Sequence, residues 1–269
     1  MTEKKFTILN VLDGTISNFW QFCRAWKVWS IYSLAFFLMS VICANWSHTC
    51  KDSLSISWWC PQSSNVYFIY ARVIFYYIGI LFLIFSFAYD ICKEVLNGNK
   101  SGFKALFLLN KTKLKSMGLL FALCLAFFTA LGICVWQIFR AANPNWLIEF
   151  GYFLIVFVLA TFVVLLLRTS ASFGFILTEA KWPDFKKLFN LTCGKFYVVL
   201  ITFCVMTYAV NLLQMKLRGL LDYWNMEMIN YPVVLTSEFL GSIIQIATLG
   251  IYVAYFLALS QVLKSNEQK

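Results

Sequence analysis

The chain is poor in charge. Asp, Glu, Lys and Arg together make 13% of its 269 residues, where a soluble domain usually carries about 25%. It has one histidine, His48, which excludes multi-histidine zinc and iron centres. It has no phosphate-cradling glycine-rich loop of the P-loop or dinucleotide type. No G-x-S-x-G phrase places a serine nucleophile for that histidine to serve. Its four prolines (Pro61, Pro144, Pro183 and Pro232) all lie outside the long apolar runs, so no broken helix of the transporter kind is announced. No catalytic residue, no metal-ligand set and no cofactor is expected.

What the chain does have is apolar surface. Hydrophobic residues make 61% of it, and the mean hydropathy is +0.74. A water-soluble core cannot absorb that excess, whereas a bilayer can. A hydrocarbon core of about 30 Å needs roughly 20 apolar residues of helix. Six runs qualify, over residues 27–46, 66–89, 116–139, 147–167, 196–215 and 237–263. They are continuously apolar, which excludes barrel strands alternating over about ten residues. The expected fold is an all-α integral membrane protein. Its single membrane domain, 1–269, holds six transmembrane helices as three helical hairpins, each preceded by a cytoplasmic interfacial amphipathic helix.

Lysine and arginine decide the orientation, because short cytoplasmic loops carry the excess. One side holds Lys4, Lys5, Arg24 and Lys27, six lysines between Lys93 and Lys115, Arg168, the lysines from Lys181 to Lys195, Lys264 and Lys269. The other holds only Lys51, Arg140, Lys216 and Arg218. Both termini are therefore expected in the cytoplasm. Tryptophans agree, since Trp26, Trp29, Trp46, Trp136, Trp146 and Trp182 fall at or near span ends, where the ring prefers the interface. Residues 1–25 lack a continuous apolar stretch, so no cleavable signal is expected.

A short phrase recurs: FKALFLL at 103–109 and FKKLFNL at 185–191, with Lys113 and Lys195 at the same distance beyond. Phe103, Leu106, Phe107 and Asn110 fall at i, i+3, i+4 and i+7, as do Phe185, Leu188, Phe189 and Thr192, a one-faced helical spacing. Ile16, Phe19, Trp20 and Cys23 repeat it more faintly. The intervals suggest three units, about 10–95, 96–180 and 181–269, each a surface helix and a pair of spans. Such helices lie in the headgroup plane with lysines toward anionic lipid. Membrane lipids, anionic on the cytoplasmic side, are thus the expected partners, with room for a membrane-protein partner. The net charge of +10 is distributed over these loops rather than along a groove-reading stripe, so nucleic acid is not expected.

The stretch RTSASFGFILTEAKWPDFKKLFNLTCGKF (168–196) resembles a segment of certain uncharacterised bacterial six-helix inner-membrane proteins. It is also similar to the membrane domain attached to some glycerophosphodiester phosphodiesterases. Glu179, Leu188, Leu191, Thr192 and Gly194 carry the likeness: an acidic position, a short amphipathic helix and an L-T-x-G phrase opening the next span. The resemblance covers about thirty residues and the overall layout. It implies a membrane module of unknown activity in a bacterial inner (plasma) membrane, not an enzyme.

Polar residues within spans are costly and mark a pathway or a contact. Arg72 lies inside span two. It either snorkels to the outer interface or pairs with Glu149 or Glu238, the acidic residues at matching depth. Asn211, Gln214 and Gln245 are candidates for a polar pathway. Span six also carries Gly250, Ala254 and Ala258, a small-residue ladder that admits another helix closely. Of nine cysteines, Cys50 and Cys60 share the first outer loop, where a disulfide is permitted; free thiols and, with His48 and Asp52, a metal site are the alternatives. Leu217, Leu220, Leu221, Trp224 and Met228 predict a helix on the outer interface, stopped by Pro232. Three functions stay open: a non-enzymatic envelope or partner-supporting module, a transporter or channel for a small or lipid-like solute, and a membrane enzyme.

Overall fold

A computed structural model describes residues 6–48, 66–96, 109–141, 164, 170–192, 194–227 and 231–267. The helices are α1 (Ile8–Arg24), α2 (Trp26–His48), α3 (Val66–Leu96), α4 (Lys111–Ala141), α5 (Phe185–Thr192), α6 (Phe196–Glu227) and α7 (Tyr231–Glu267). Residues 170–179 are helical as well, and no strand occurs among the described residues. The runs predicted at 27–46, 66–89, 116–139, 196–215 and 237–263 each fall within one helix. The run at 147–167 lies, apart from Val164, outside the described residues.

Two boundaries differ from the sequence reading. Asn110, expected on the apolar face of a surface helix, instead caps α4: its Oδ1 accepts the Lys113 amide at 2.7 Å, satisfying one of the orphan donors of a helix start. The cap carries α4 back to Lys111, ahead of the predicted 116. At the other end of the chain, 217–227 is helical as predicted but continues α6 without a break. The K-L-R-G stretch contains nothing that stops a helix, since one glycine costs only about 1 kcal/mol. Pro232 does not end a pattern; it sits in the first turn of α7, where its missing N–H has no helical partner to lose and its fixed φ suits the helix.

Among the described residues, two helices hold stretches long and apolar enough to cross a membrane, Phe196–Leu221 in α6 and Leu235–Ser265 in α7. At about 1.5 Å per residue, each exceeds the hydrocarbon thickness.

The chain divides into two compact units. The first comprises Met1–Phe19, Leu109–Thr207 and Val253–Lys269. Its core gathers Val11 of α1, Ala171 and Phe175, Leu188 of α5, Val198 and Val199 of α6, and Tyr255, Leu259, Val262 and Leu263 of α7. The face of α5 that the spacing singled out is the inward one: Leu188 and Thr192 are buried while Lys186 is exposed. Gly194, at φ 72°, lets the chain leave α5 through a left-handed turn that a side chain would resist. On α1 the apolar face that the spacing singled out is turned outward. Val11, Thr15 and Asn18 are buried, and Ile16 and Trp20 are 68% and 65% exposed. Gly14 is packed closely, since a Cβ there would come within 3.2 Å of the Ala258 Cβ. Ala254 and Ala258 of the ladder on α7 therefore serve this chain's own α1.

The second unit comprises Trp20–Leu108 and Tyr208–Tyr252. Ala25 interrupts the helix between α1 and α2, and the Trp29 indole N–H closes the corner by donating to the Phe22 carbonyl at 2.5 Å. The α2 and α3 helices pack antiparallel, because early α2 meets late α3. Trp29 and Tyr32 both stand edge-on to Phe87, at 5.5 Å, while Met39 covers Gly79 further along. Phe37 makes a similar edge contact with Phe239 of α7 at 5.5 Å. At Gly250 the Trp29 ring lies so close that any Cβ would strike it.

Candidate functional site

Within the second unit, α2, α6 and α7 line an open pocket of about 220 Å³. Its described lining begins with Glu238, Ser242 and Gln245 of α7, which at i, i+4 and i+7 share one helical face. Ser237 and Gly241 of the same helix complete that wall, Arg218 and Leu221 come from α6, and Ser40 comes from α2. Ser40 Oγ donates to Glu238 Oε2 at 3.2 Å, which orients the carboxylate and leaves its other oxygen available as an acceptor. Ser242 Oγ donates to the Glu238 backbone carbonyl at 3.0 Å, so its lone pairs, not its proton, remain for the pocket. Gly241 keeps the wall open, as a Cβ added there would meet nothing within 4 Å. One guanidinium and one carboxylate make the described lining formally neutral. Chemically, the pocket offers a planar donor fork, an anionic acceptor and a carboxamide that does both.

A second polar group lies between α2 and α3. The Tyr32 hydroxyl donates to Asp90 Oδ2 at 2.5 Å and also pairs with Ser86. All three are buried, and so is Glu94 one turn beyond Asp90. This hydrogen-bonded cluster ties one helix to the next. In the first unit, Lys264 forms an ion pair with Glu179 and sits 5.1 Å above the centre of the Phe175 ring. The acidic position of the family-like stretch is thereby joined to the end of α7. Both side chains are about half exposed, so the pair adds little stability.

The residues singled out from the sequence divide as follows. Gln245 and Glu238, predicted for different roles, meet in the pocket. Asn211 is exposed and Gln214 half-buried, and neither belongs to the described lining. They precede Arg218 on the same face of α6 by about two turns and one turn, respectively. The Arg72 side chain and the whole of Glu149, Cys50 and Cys60 lie outside the described residues. Cys23, Cys92, Cys124 and Cys204 are free thiols. Among the described residues, no cluster of three or more His, Cys, Asp or Glu could hold a metal ion. Sequence reasoning missed Arg218 because it was counted with an outer loop. It missed Ser40 because a serine in an apolar run looks neutral.

No protein-family model matches the sequence, and no curated protein or solved structure matches it.

Proposed function

We propose that the chain is a multi-pass protein of the bacterial inner membrane, with six spans in three hairpins and both termini cytoplasmic. It works as a non-enzymatic module that supports the envelope or a partner membrane protein. The observation that carries this reading is the surface of α6. Leu200, Ile201, Val205, Leu212 and Leu213 are all exposed on a helix whose apolar stretch is long enough to cross a bilayer. Apolar patches of that extent mark contact with a partner or a membrane. The exposed Ile16 and Trp20 of α1, close in sequence to Arg24 and Lys27, suit a helix lying on an anionic leaflet. In this arrangement Arg72 seeks a carboxylate, Glu149 or Glu238, and Cys50 and Cys60 face a compartment that permits a disulfide.

Alkaline carbonate extraction and reporter fusions test the placement. Fusions after residues 104 and 186 are expected in the cytoplasm, and fusions after 60 and 229 outside; a lysine-rich loop reporting outside overturns it. Deletion of the gene is expected to raise envelope permeability to detergent and dye. One observation favours the second reading, a transporter or channel: the polar pocket that joins Gln245 to Arg218 and Glu238. Solute flux through proteoliposomes of the purified chain, with permeability unchanged on deletion, decides for that reading.

A further inference from the structure

We infer that the pocket of the second unit binds a small zwitterion, an ammonium group and an anionic phosphate or carboxylate joined by a short linker. Arg218 holds the anionic group and Glu238 the ammonium, an assignment under which Arg72 takes Glu149 rather than Glu238. Two features of the lining point there. The first is charge balance. A purely cationic ligand would meet Arg218, and a purely anionic one Glu238, whereas a ligand carrying both charges satisfies each wall. A guanidinium presents its donors in a fork that matches carboxylate or phosphate oxygens.

The second feature is the orientation of the smaller groups. Ser40 already donates to one oxygen of Glu238, and the Ser242 hydroxyl proton is taken by the backbone. Around Glu238, therefore, the pocket presents acceptors, which suits the three N–H bonds of an ammonium rather than a second oxyanion. A pocket of about 220 Å³ has room for a small molecule. The open space at Gly241 provides a wall without a side chain to displace. The same chemistry occurs in a free solute and in the headgroup of an aminophospholipid. The inference rests on the membrane reading for the pocket's location near the outer ends of the spans, but not for its chemistry.

The test uses the full chain in phosphatidylglycerol nanodiscs, titrated calorimetrically with O-phosphoethanolamine, ethanolamine and inorganic phosphate. The whole zwitterion is expected to bind at least tenfold more tightly than either half. Arg218→Gln and Glu238→Gln should each weaken it at least tenfold, and Gly241→Phe should abolish it. Arg218 and Glu238 are exposed and Gly241 faces open space, so the variants are expected to unfold at the temperature of the parent. The comparison of the three probes on the parent decides even without them. A second arm repeats the titration with phosphatidylethanolamine in the disc. Loss of soluble binding there assigns the pocket to the lipid headgroup, and retention assigns it to a free solute. Absent binding in both discs, equal binding of the halves and the whole, or charge variants that bind like the parent overturns the inference. Such a result would leave the reporter-fusion topology standing, and an altered topology would leave the binding standing.

Discussion

The Asn18 carboxamide donates to the carbonyl oxygen of Ala254 at 3.4 Å, and the same Nδ2 reaches Gln261 Oε1 at 3.3 Å. Neighbouring small residues make this contact between helices reachable, because Gly14 and Ala258 let the backbones of α1 and α7 draw together. Close packing and such hydrogen bonds together hold α1 against α7.

Asn18→Ala is expected to lower stability in detergent by about 1–2 kcal/mol, the range for an interhelical polar contact. Gln261 is exposed, so Gln261→Ala should cost much less. Thermal unfolding of the two variants checks this. Equal losses would show that the bond to Gln261, rather than the one to the Ala254 carbonyl, holds α1 in place.

Gly250→Val should destabilise by about 1–3 kcal/mol, the usual cost of forcing atoms into a packed site, because its side chain would strike the Trp29 ring. Trp29→Ala in the same chain should recover part of that loss even though Trp29→Ala alone is harmful. The measurement is a double-mutant cycle on melting temperature. Strict additivity would sink the proposed clash.

Tyr32→Phe removes the hydroxyl that Asp90 accepts from while leaving the edge contact with Phe87 intact. It should cost about 1–3 kcal/mol, the penalty for weakening a buried polar pair. Ser86→Ala should cost less, since the hydrogen bond from Tyr32 to Asp90 survives it. Chemical denaturation in mild detergent would rank the two, and the reverse order would assign the main bond to Ser86.

Of the free cysteines, Cys23 is exposed and Cys92 fully buried. Single-cysteine chains treated with a maleimide should therefore be labelled at Cys23 and spared at Cys92. Partial desolvation by its neighbours pushes the otherwise accessible Cys23 thiol up from its ordinary value, and only the thiolate reacts. Its labelling should consequently level off at a higher pH than that of a fully solvated thiol. Intact-mass kinetics read this directly, and a plateau below pH 8 would contradict it.

The helical class and the approximate extents of α2, α3, α4 and α7 were legible in the sequence, because continuous apolar runs of about twenty residues have one way to satisfy their backbone in lipid. The helical spacing of Phe185, Leu188, Phe189 and Thr192 in α5 was legible too, but that face was expected on the headgroup plane and instead packs Leu188 into the core of the first unit. Other features needed the tertiary structure. α1 carries two faces of apolar or small residues, and periodicity alone favoured Ile16, Phe19 and Trp20. Packing against Ala258 instead selected the face of Gly14 and Asn18, since bulk keeps backbones apart and small residues let them meet. Pro232 reads as a stop or a start until the helix after it is seen. Glu238 and Gln245 share a face that spacing reveals, but what faces it comes from Ser40 and Arg218, 198 and 20 positions from Glu238 in the chain. Such separations leave no local periodic signal, and only the packing of α2 and α6 against α7 turned separate polar residues into one pocket.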